Sequence, residues 1–256
     1  MIPKIIHYCW FGRGPMGRLE LKCIESWKKV LPGYELKLWN EENFDLTLNT
    51  YANEAYQVRK FAFVTDFARL YILYNEGGIY MDTDVEVLKN FDKFLSLPAF
   101  SGFEGVKYVP TGIMASEKNG LWAKEQLEYY NGKHFILPDG SYDLTTNTQI
   151  ISGIMESNGF PLKNGYRIYK DCMHMFPYDY FNPIQYGKIF LTENTHCIHH
   201  FASSWNPEKR KVKKFIFKRI VGGKLTYLLV KLKRKILNRP FQTIMIFIGF
   251  LLWVGL

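Results

Sequence analysis

The sequence predicts an α/β protein with a Rossmann-like sheet, and three observations near its start indicate this. Residues 5–10 form an apolar run typical of a buried strand. Apolar side chains then recur every four positions through residues 19–31, which predicts an amphipathic helix ending at Pro32-Gly33. Residues 34–39 alternate polar and apolar side chains, as a second strand does. A strand, a helix and a strand within about forty residues are the usual start of a parallel sheet.

The pattern continues with a second clear helix. Phe63, Phe67, Leu70 and Tyr74 share one helical face, and Gly77-Gly78 ends the helix because glycine tolerates a positive φ. Four further strands are predicted at residues 79–87, 99–104, 108–115 and 198–201, and two helices at 119–131 and 146–158. Residues 167–182 are aromatic and predicted to be irregular.

Charge divides the chain of 256 residues into two parts. Residues 207–240 contain 13 of the 33 Lys and Arg and one acid, so this segment carries +12 while the rest carries −3. Residues 241–256 contain no charge, and at 16 residues they are shorter than the roughly 20 that a membrane span requires. We therefore predict a domain at 1–206 and a basic, then apolar, helical tail at 207–256. The tail suits an anionic membrane surface; nucleic acid would explain the charge but not the uncharged end.

Cysteine usage and the amino terminus favour a cytoplasmic setting. The four cysteines show no paired spacing, which fits reduced thiols better than a disulfide framework. The first residues lack the charged start and long apolar run of a signal peptide. With the tail, this predicts a cytoplasmic protein attached peripherally to the inner face of a membrane.

Two acids stand where chemistry is expected. In a strand, residues two apart face the same side, so Asp82 and Asp84 would project together and repel each other unless a cation lies between them. Mg²⁺ and Mn²⁺ take such oxygen ligands and share them with substrate phosphates. A bare Asp-x-Asp is also common as a solvated surface pair. Asp66 and Arg69 share a helical face that leads to these acids; they could bind sugar hydroxyls and phosphate, or form a simple ion pair.

Residues 65–70 and 77–84 resemble the sugar-binding region, containing the DXD motif, of glycosyltransferase family 32. That family includes bacterial capsular and lipopolysaccharide transferases and yeast-type mannosyltransferases, and the catalytic domains of clostridial glucosylating toxins look like distant relatives. Residues 2–12, 38–40 and 199–205 extend the resemblance over about 1–206. It implies a GT-A-type fold with a mixed central sheet, Mn²⁺ or Mg²⁺, a nucleotide-sugar donor (UDP by default), and retention of anomeric configuration.

The resemblance also implies roles for the residues nearest the donor. Trp10 stacks on the base, although a core tryptophan is the alternative, and Asn40 helps to hold ribose or uracil. Asp66 and Arg69 hold the donor sugar. Asp82 faces the ribose and the metal, and Asp84 ligates the metal directly.

A C-terminal cluster closes the site in relatives. By resemblance, His200 completes the metal shell, with His199 as the competitor, and Ser204 and Trp205 touch the diphosphate. Adjacent histidines on a strand face opposite sides, so one of the two is expected to point inward. A zinc site built from His196, Cys197, His199 and His200 is not expected, because its ligands would be too crowded in sequence.

Two functions remain open from the sequence. The first is a glycosyltransferase that acts on a glycan or lipid-linked acceptor in capsule or surface polysaccharide synthesis, with residues 108–182 shaping the acceptor pocket. The second is a catalytically inactive relative that binds a nucleotide or glycan and docks on a membrane by its basic tail. The intact Asp66, Arg69, Asp82 and Asp84 favour the enzyme.

Overall fold

A computed structural model describes residues 1–105, 108–109, 111–185 and 188–202. Of these, residues 1–185 and 189–202 form one compact unit. The helices are α1 (Arg18–Val30), α2 (Thr50–Gln57), α3 (Phe61–Glu76), α4 (Leu121–Glu128), α5 (Asn147–Ser157) and α6 (Tyr178–Phe181). The strands are β1 (Ile5–Cys9), β2 (Glu35–Trp39), β3 (Gly78–Met81), β4 (Val85–Val87), β5 (Ala99–Gly102), β6 (Ile113–Ser116), β7 (Arg167–Tyr169), β8 (Met173–Phe176), β9 (Ile184–Gln185), β10 (Lys188–Ile189) and β11 (Cys197–His199).

The central sheet is mixed and has the order β2-β1-β3-β6-β5-β8-β7. Strand β1 is parallel to both β2 and β3, which gives the Rossmann-like half of the sheet. Strand β6 is antiparallel to β3 and β5, β5 is parallel to β8, and β7 is antiparallel to β8. The prediction of an α/β fold with a mixed central sheet is confirmed.

Helices cover both faces of this sheet because its central strands are apolar on both sides. Tyr80 of β3 joins the core on the face that α3 covers, with Val64 and Leu70. Ile79 and its neighbours on the opposite face join the core that contains Trp27 of α1. The every-fourth pattern of α1 thus marks the stripe that the helix buries against the sheet.

The glycine pair after α3 is required by its geometry. Gly77 and Gly78 have φ values of 72° and 107°, and such positive angles disfavour other residues. A Cβ at Gly78 would also lie 2.8 Å from Nε2 of His7 on β1. The pair therefore ends α3 and brings β3 close beside β1.

Two sequence-based expectations about the elements were wrong. Residues 79–87 are not one strand: β3 ends at Met81, and a turn closed by the Val85 N–H and the Asp82 carbonyl (3.0 Å) separates it from β4. Strand β4 leaves the central sheet and pairs antiparallel with β11. Residues 167–182 are not irregular, because β7, β8 and α6 occupy them. The β7–β8 turn contains Lys170 and Asp171 with positive φ. Because neither residue is a glycine, the sequence did not indicate this turn.

Among the described residues, no helix is both long enough and apolar enough to cross a membrane. The predicted domain boundary at residue 206 and the predicted helical tail at 207–256 lie outside the described residues and stay predictions.

Candidate metal and donor site

A pocket of about 670 Å³ opens at the carboxyl ends of β1 and β3. This is the edge of an open α/β sheet at which ligands usually bind. The pocket walls come from the residues after β1, the first half of α3, the turn after β3, the start of α5 and the end of β11. Their lining residues are Cys9, Trp10, Phe11, Phe61, Ala62, Phe63, Thr65, Asp66, Arg69, Tyr80, Asp82, Thr83, Asp84, Glu104, Tyr108, Thr111, Thr146, Asn147, Thr148, Gln149, His199 and Phe201.

Asp82, Asp84 and His199 converge on one wall of this pocket, with one potential ligand atom each and all within 4.8 Å of one another. The two acids meet because a turn brings them together, and not because they alternate along a strand. His199 joins them because the antiparallel register places it opposite Val85, directly after Asp84. Its Nε2 lies 3.2 Å from Oδ1 of Asp84 and 3.7 Å from Oδ2 of Asp82.

The segment after β11 also wraps around Asp84. The Ala202 N–H donates to Asp84 Oδ2 at 2.7 Å, and the His200 N–H donates to the Asp84 carbonyl at 3.0 Å. Burial alone would raise the pKa of Asp84, but the charge and hydrogen bond of His199 and the Ala202 N–H lower it to about 2. Burial alone would lower the pKa of His199, but Asp84 and Asp82 raise it to about 9. The three side chains are therefore electrostatically linked.

The donor set fits a divalent cation of the Mn²⁺ or Mg²⁺ kind. Two carboxylates supply the hard oxygen ligands that both ions prefer, and an imidazole nitrogen is acceptable to Mn²⁺. Asp84 and His199 are largely buried, with side-chain exposures of 13% and 11%, so both are already removed from bulk water. Among the described residues, this is the group of metal-binding side chains that lies in the pocket.

The structure places His199 beside the acids, where the sequence reading preferred His200. His200 follows the end of β11, and its Nε2 lies 2.8 Å from Oε2 of Glu86, on the side away from the acids. Lys22 of α1 contacts the other oxygen of the same carboxylate at 2.9 Å. Adjacent residues of an extended chain face opposite sides, so only one of the two histidines reaches the pocket. His196 lies apart from this group, with its ring stacked on that of Tyr180.

Arg69 is almost fully buried and makes its contacts within the protein. Its guanidinium lies 3.1 Å from Asp66 Oδ1 and 3.3 Å from Asp82 Oδ1. It also donates to the backbone carbonyls of Thr65 (3.1 Å) and Thr111 (2.6 Å). The pair is thus more than a helical surface ion pair: Arg69 joins the helix that carries Asp66 to the acid that faces the pocket.

Tyr80 also contacts the carboxylate of Asp82. Its ring lies under the Arg69 guanidinium, 4.6 Å from ring centre to carbon, and its hydroxyl donates to Asp82 Oδ1 at 2.9 Å. One oxygen of Asp82 is therefore occupied inside the protein, which leaves Oδ2 on the side of His199. Burial raises the pKa of Asp66 to about 6, although Arg69 opposes this shift.

The remaining predicted donor-binding residues have different positions. Trp10 lines the pocket, is partly exposed, and donates from Nε1 to the Gly14 carbonyl at 2.6 Å, so its ring is oriented at the pocket wall. Asn40 is not among the lining residues; its Oδ1 accepts the Glu42 N–H at 2.8 Å and shapes the turn after β2. Ser204 and Trp205 lie outside the described residues.

Sequence reasoning missed the start of α5 as part of the site. Asn147 is 2% exposed, yet it lines the pocket. Its Nδ2 reaches the Asp66 carbonyl at 3.4 Å, while its Oδ1 has no hydrogen-bond partner among the described residues. A signal was present, because Thr146 and Gln149 have the spacing of a capping box, and the Thr146 N–H does donate to Gln149 Oε1 at 3.1 Å. A capping box predicts where the helix starts, but it does not predict that the helix start lines a pocket.

Part of this region matches a described protein family. Residues 17–101, which include Asp66, Arg69 and both acids of the turn, match the family described as "Glycosyltransferase sugar-binding region containing DXD motif". The resemblance inferred from the sequence is thereby confirmed for residues 17–101.

Individual proteins to which the chain is similar are also named as glycosyltransferases. The chain is 30% identical over 149 residues to inositol phosphoceramide mannosyltransferase 1 of Schizosaccharomyces pombe, covering 52% of this chain and 45% of that protein. It is 31% identical over 110 residues to inositol phosphoceramide mannosyltransferase 3 of the same yeast, covering 39% and 29%. These matches span less than half of either relative's length. The structure of a glycosyltransferase involved in the glycosylation of the major capsid of PBCV-1 is similar, with 14% sequence identity and a TM-score of 0.46; the match covers 83% of this chain and 100% of that one.

Proposed function

We propose that this chain is a metal-dependent, retaining glycosyltransferase that moves a sugar from a nucleotide diphosphate donor, by default UDP, to a hydroxyl group of a glycan or lipid-linked acceptor. The observation that carries the proposal is the convergence of Asp82, Asp84 and His199 within 4.8 Å on the wall of a pocket of about 670 Å³. A pocket of this size falls within the usual range for small-molecule ligands.

The three residues would hold Mn²⁺ or Mg²⁺, which neutralises the charge that develops on a diphosphate leaving group. Arg69 and Tyr80 hold the carboxylate of Asp82 in one orientation through the contacts described above. Because these supports are buried, the carboxylate is positioned before any substrate binds, which is the condition for electrostatic catalysis.

The other walls suit the organic parts of the donor. Trp10 offers a partly exposed ring on which a base can stack. Asn147 Oδ1, buried and without a described partner, is an acceptor suited to a sugar hydroxyl next to Asp66. In this proposal the sugar contacts α3 and α5, and the phosphates contact the turn after β3.

The relatives and the tail bear on the acceptor and on where the protein acts. Two relatives are named as mannosyltransferases of inositol phosphoceramide, which supports a hexose donor and a lipid-linked or glycan acceptor for this chain. A role in capsule or surface polysaccharide synthesis fits such chemistry. The basic segment 207–240 and the uncharged segment 241–256 support peripheral attachment to an anionic membrane at its cytoplasmic face.

A panel of nucleotide sugars tests the proposal. The full chain is incubated with each donor and Mn²⁺, without acceptor, and nucleotide release is measured. An active transferase should slowly hydrolyse its preferred donor, and this preference identifies both base and sugar. Binding of a nucleotide sugar by calorimetry, with no release from any donor and no transfer to lipid or glycan acceptors, would instead favour an inactive binding protein.

A further inference from the structure

Gly112, which precedes β6, touches two of the three candidate ligands. Its carbonyl accepts the backbone N–H of Asp82 at 2.8 Å. A Cβ at this position would lie 2.5 Å from Nδ1 and 2.7 Å from Cε1 of the His199 ring. Contacts this short are not tolerated, so one methyl group would displace the imidazole.

Backbone conformation does not explain the glycine. The φ of Gly112 is not among the positive values of the described glycines, so an alanine could adopt the same backbone. What the position requires is the absence of a side chain, and the group that fills the space is the ring of His199.

The way in which His199 is oriented makes this contact important. A metal-binding histidine usually donates its second ring N–H to a carboxylate or carbonyl, which fixes the ring. Here Nδ1 is buried and has no hydrogen-bond partner among the described residues. The ring instead lies against the backbone of Gly112 and contacts the ring of Phe201, whose centroid is 4.1 Å away. Packing thus replaces the usual hydrogen bond.

We propose that Gly112 is the positioning residue of this metal site: its missing side chain admits the His199 ring beside Asp84, and its carbonyl fixes Asp82. This inference rests on the proposed metal-dependent function. A methyl group at residue 112 would displace the imidazole, which is also in contact with Phe201, so we expect Nε2 to move away from the two carboxylates.

The first experiment measures Mn²⁺ affinity of Gly112→Ala by calorimetry on the full chain. Loss of ligand orientation should weaken binding about 10- to 100-fold. Gly153→Ala is the matched control, since a Cβ there meets nothing within 4 Å, and it should bind Mn²⁺ as the wild type does. Wild-type affinity in folded Gly112→Ala protein would overturn the inference.

A double-mutant cycle separates positioning from a general packing defect. If Gly112 acts through the ring of His199, Gly112→Ala should change Mn²⁺ affinity no further once His199→Ala is present. A further loss in that background would overturn the inference. If Gly112→Ala alone fails to fold, the double variant should fold because the obstructing ring is gone, and failure of the double variant where His199→Ala folds would contradict it. A wild type that binds no Mn²⁺ would refute the proposed function instead.

Discussion

At the scale of single residues, Arg69 shows how the site combines charge with burial. Its side chain is 6% exposed and contacts both Asp66 and Asp82, whose side chains are 11% and 26% exposed. The sequence predicted that Asp66 and Arg69 share a helical face. It could not predict the hydrogen bond to Thr111 or the ring of Tyr80, because these contacts come from elements distant in sequence.

Substitution of Arg69 should cost more stability than substitution of an exposed cation. Arg69→Ala leaves Asp66 buried without its partner, and breaking a buried pair in this way costs about 3–5 kcal/mol. Lys37→Ala is the control: Lys37 and Glu76 are 33% and 28% exposed, and such a pair contributes about 0–1 kcal/mol. Urea denaturation measures both. Equal losses for the two variants would show that Arg69 is not the structural centre of the network.

Trp10 is predicted to bind the donor's base and not to serve the core. Trp10→Ala should weaken UDP binding by about 1–3 kcal/mol, because that is the usual contribution of base stacking. The rate at saturating donor should change little, since stacking is similar in the ground and transition states. Calorimetry with the folded variant measures the affinity, and Trp10→Phe should recover part of it. Unchanged affinity in Trp10→Ala would make Trp10 a packing residue.

At the scale of elements, the pairing of β4 with β11 builds the metal site. The sequence predicted that residues 79–87 form one strand with the two acids on the same side. The acids are close in the structure, but a turn brings them together. Local alternation cannot reveal that a strand breaks and changes sheets. The choice between His199 and His200 depends on the register of β11 against β4, which is a non-local pairing. For this reason the sequence left both histidines open and preferred His200, whereas the structure places His199 beside the acids.

The burial of His196, the residue just before β11, should make the stability of the protein depend on pH. His196 packs against Phe91, Phe94 and Tyr180, and burial, with Lys93 and Lys89 nearby, lowers its pKa to about 4. Between about pH 6.5 and 4 the folded state then binds fewer protons than the unfolded state. Stability should therefore fall as the pH decreases through this window, by up to about 3 kcal/mol.

His196→Phe is the variant that tests this, because it keeps an aromatic ring and cannot titrate. The free energy of unfolding is measured against pH for both proteins. Asp66, whose pKa is raised to about 6, titrates in the same window with the opposite sign, so the difference between the two proteins isolates His196. Parallel curves for the two proteins would show that His196 is not the source.

At the scale of the whole molecule, local patterns predicted the first half of the fold better than the second. Helices α1 and α3 and strand β2 were found from the spacing of their apolar side chains, and strand β1 from a continuous apolar run. Strands β7 and β8 were missed because three or four residues are too few to show alternation. The pairing of β8 with β5 joins residues more than seventy positions apart, such as Ala99 and Met173, and no local pattern contains that information.

The basic tail is expected to decide where the whole molecule is located. Residues 207–240 carry +12, and a basic segment gains about 1 kcal/mol per Lys or Arg near an anionic leaflet. Truncation after Asn206 should leave a protein that still hydrolyses donor but no longer sediments with anionic vesicles. Vesicles of neutral lipid serve as the control for charge. Equal sedimentation of the truncated and full-length proteins with anionic vesicles would contradict the membrane proposal without affecting the catalytic one.

The central claim is that Asp82, Asp84 and His199 hold a divalent cation required for cleavage of the donor. The most direct measurement is nucleotide release from the preferred nucleotide sugar by the full chain, with Mn²⁺ or with chelator, for the wild type, Asp84→Asn, His199→Gln and His200→Gln. We expect release by the wild type only with the metal, none by Asp84→Asn, a large loss in His199→Gln, and wild-type release by His200→Gln, whose side chain meets Glu86 instead. Full release in chelator, or by Asp84→Asn, would contradict the claim.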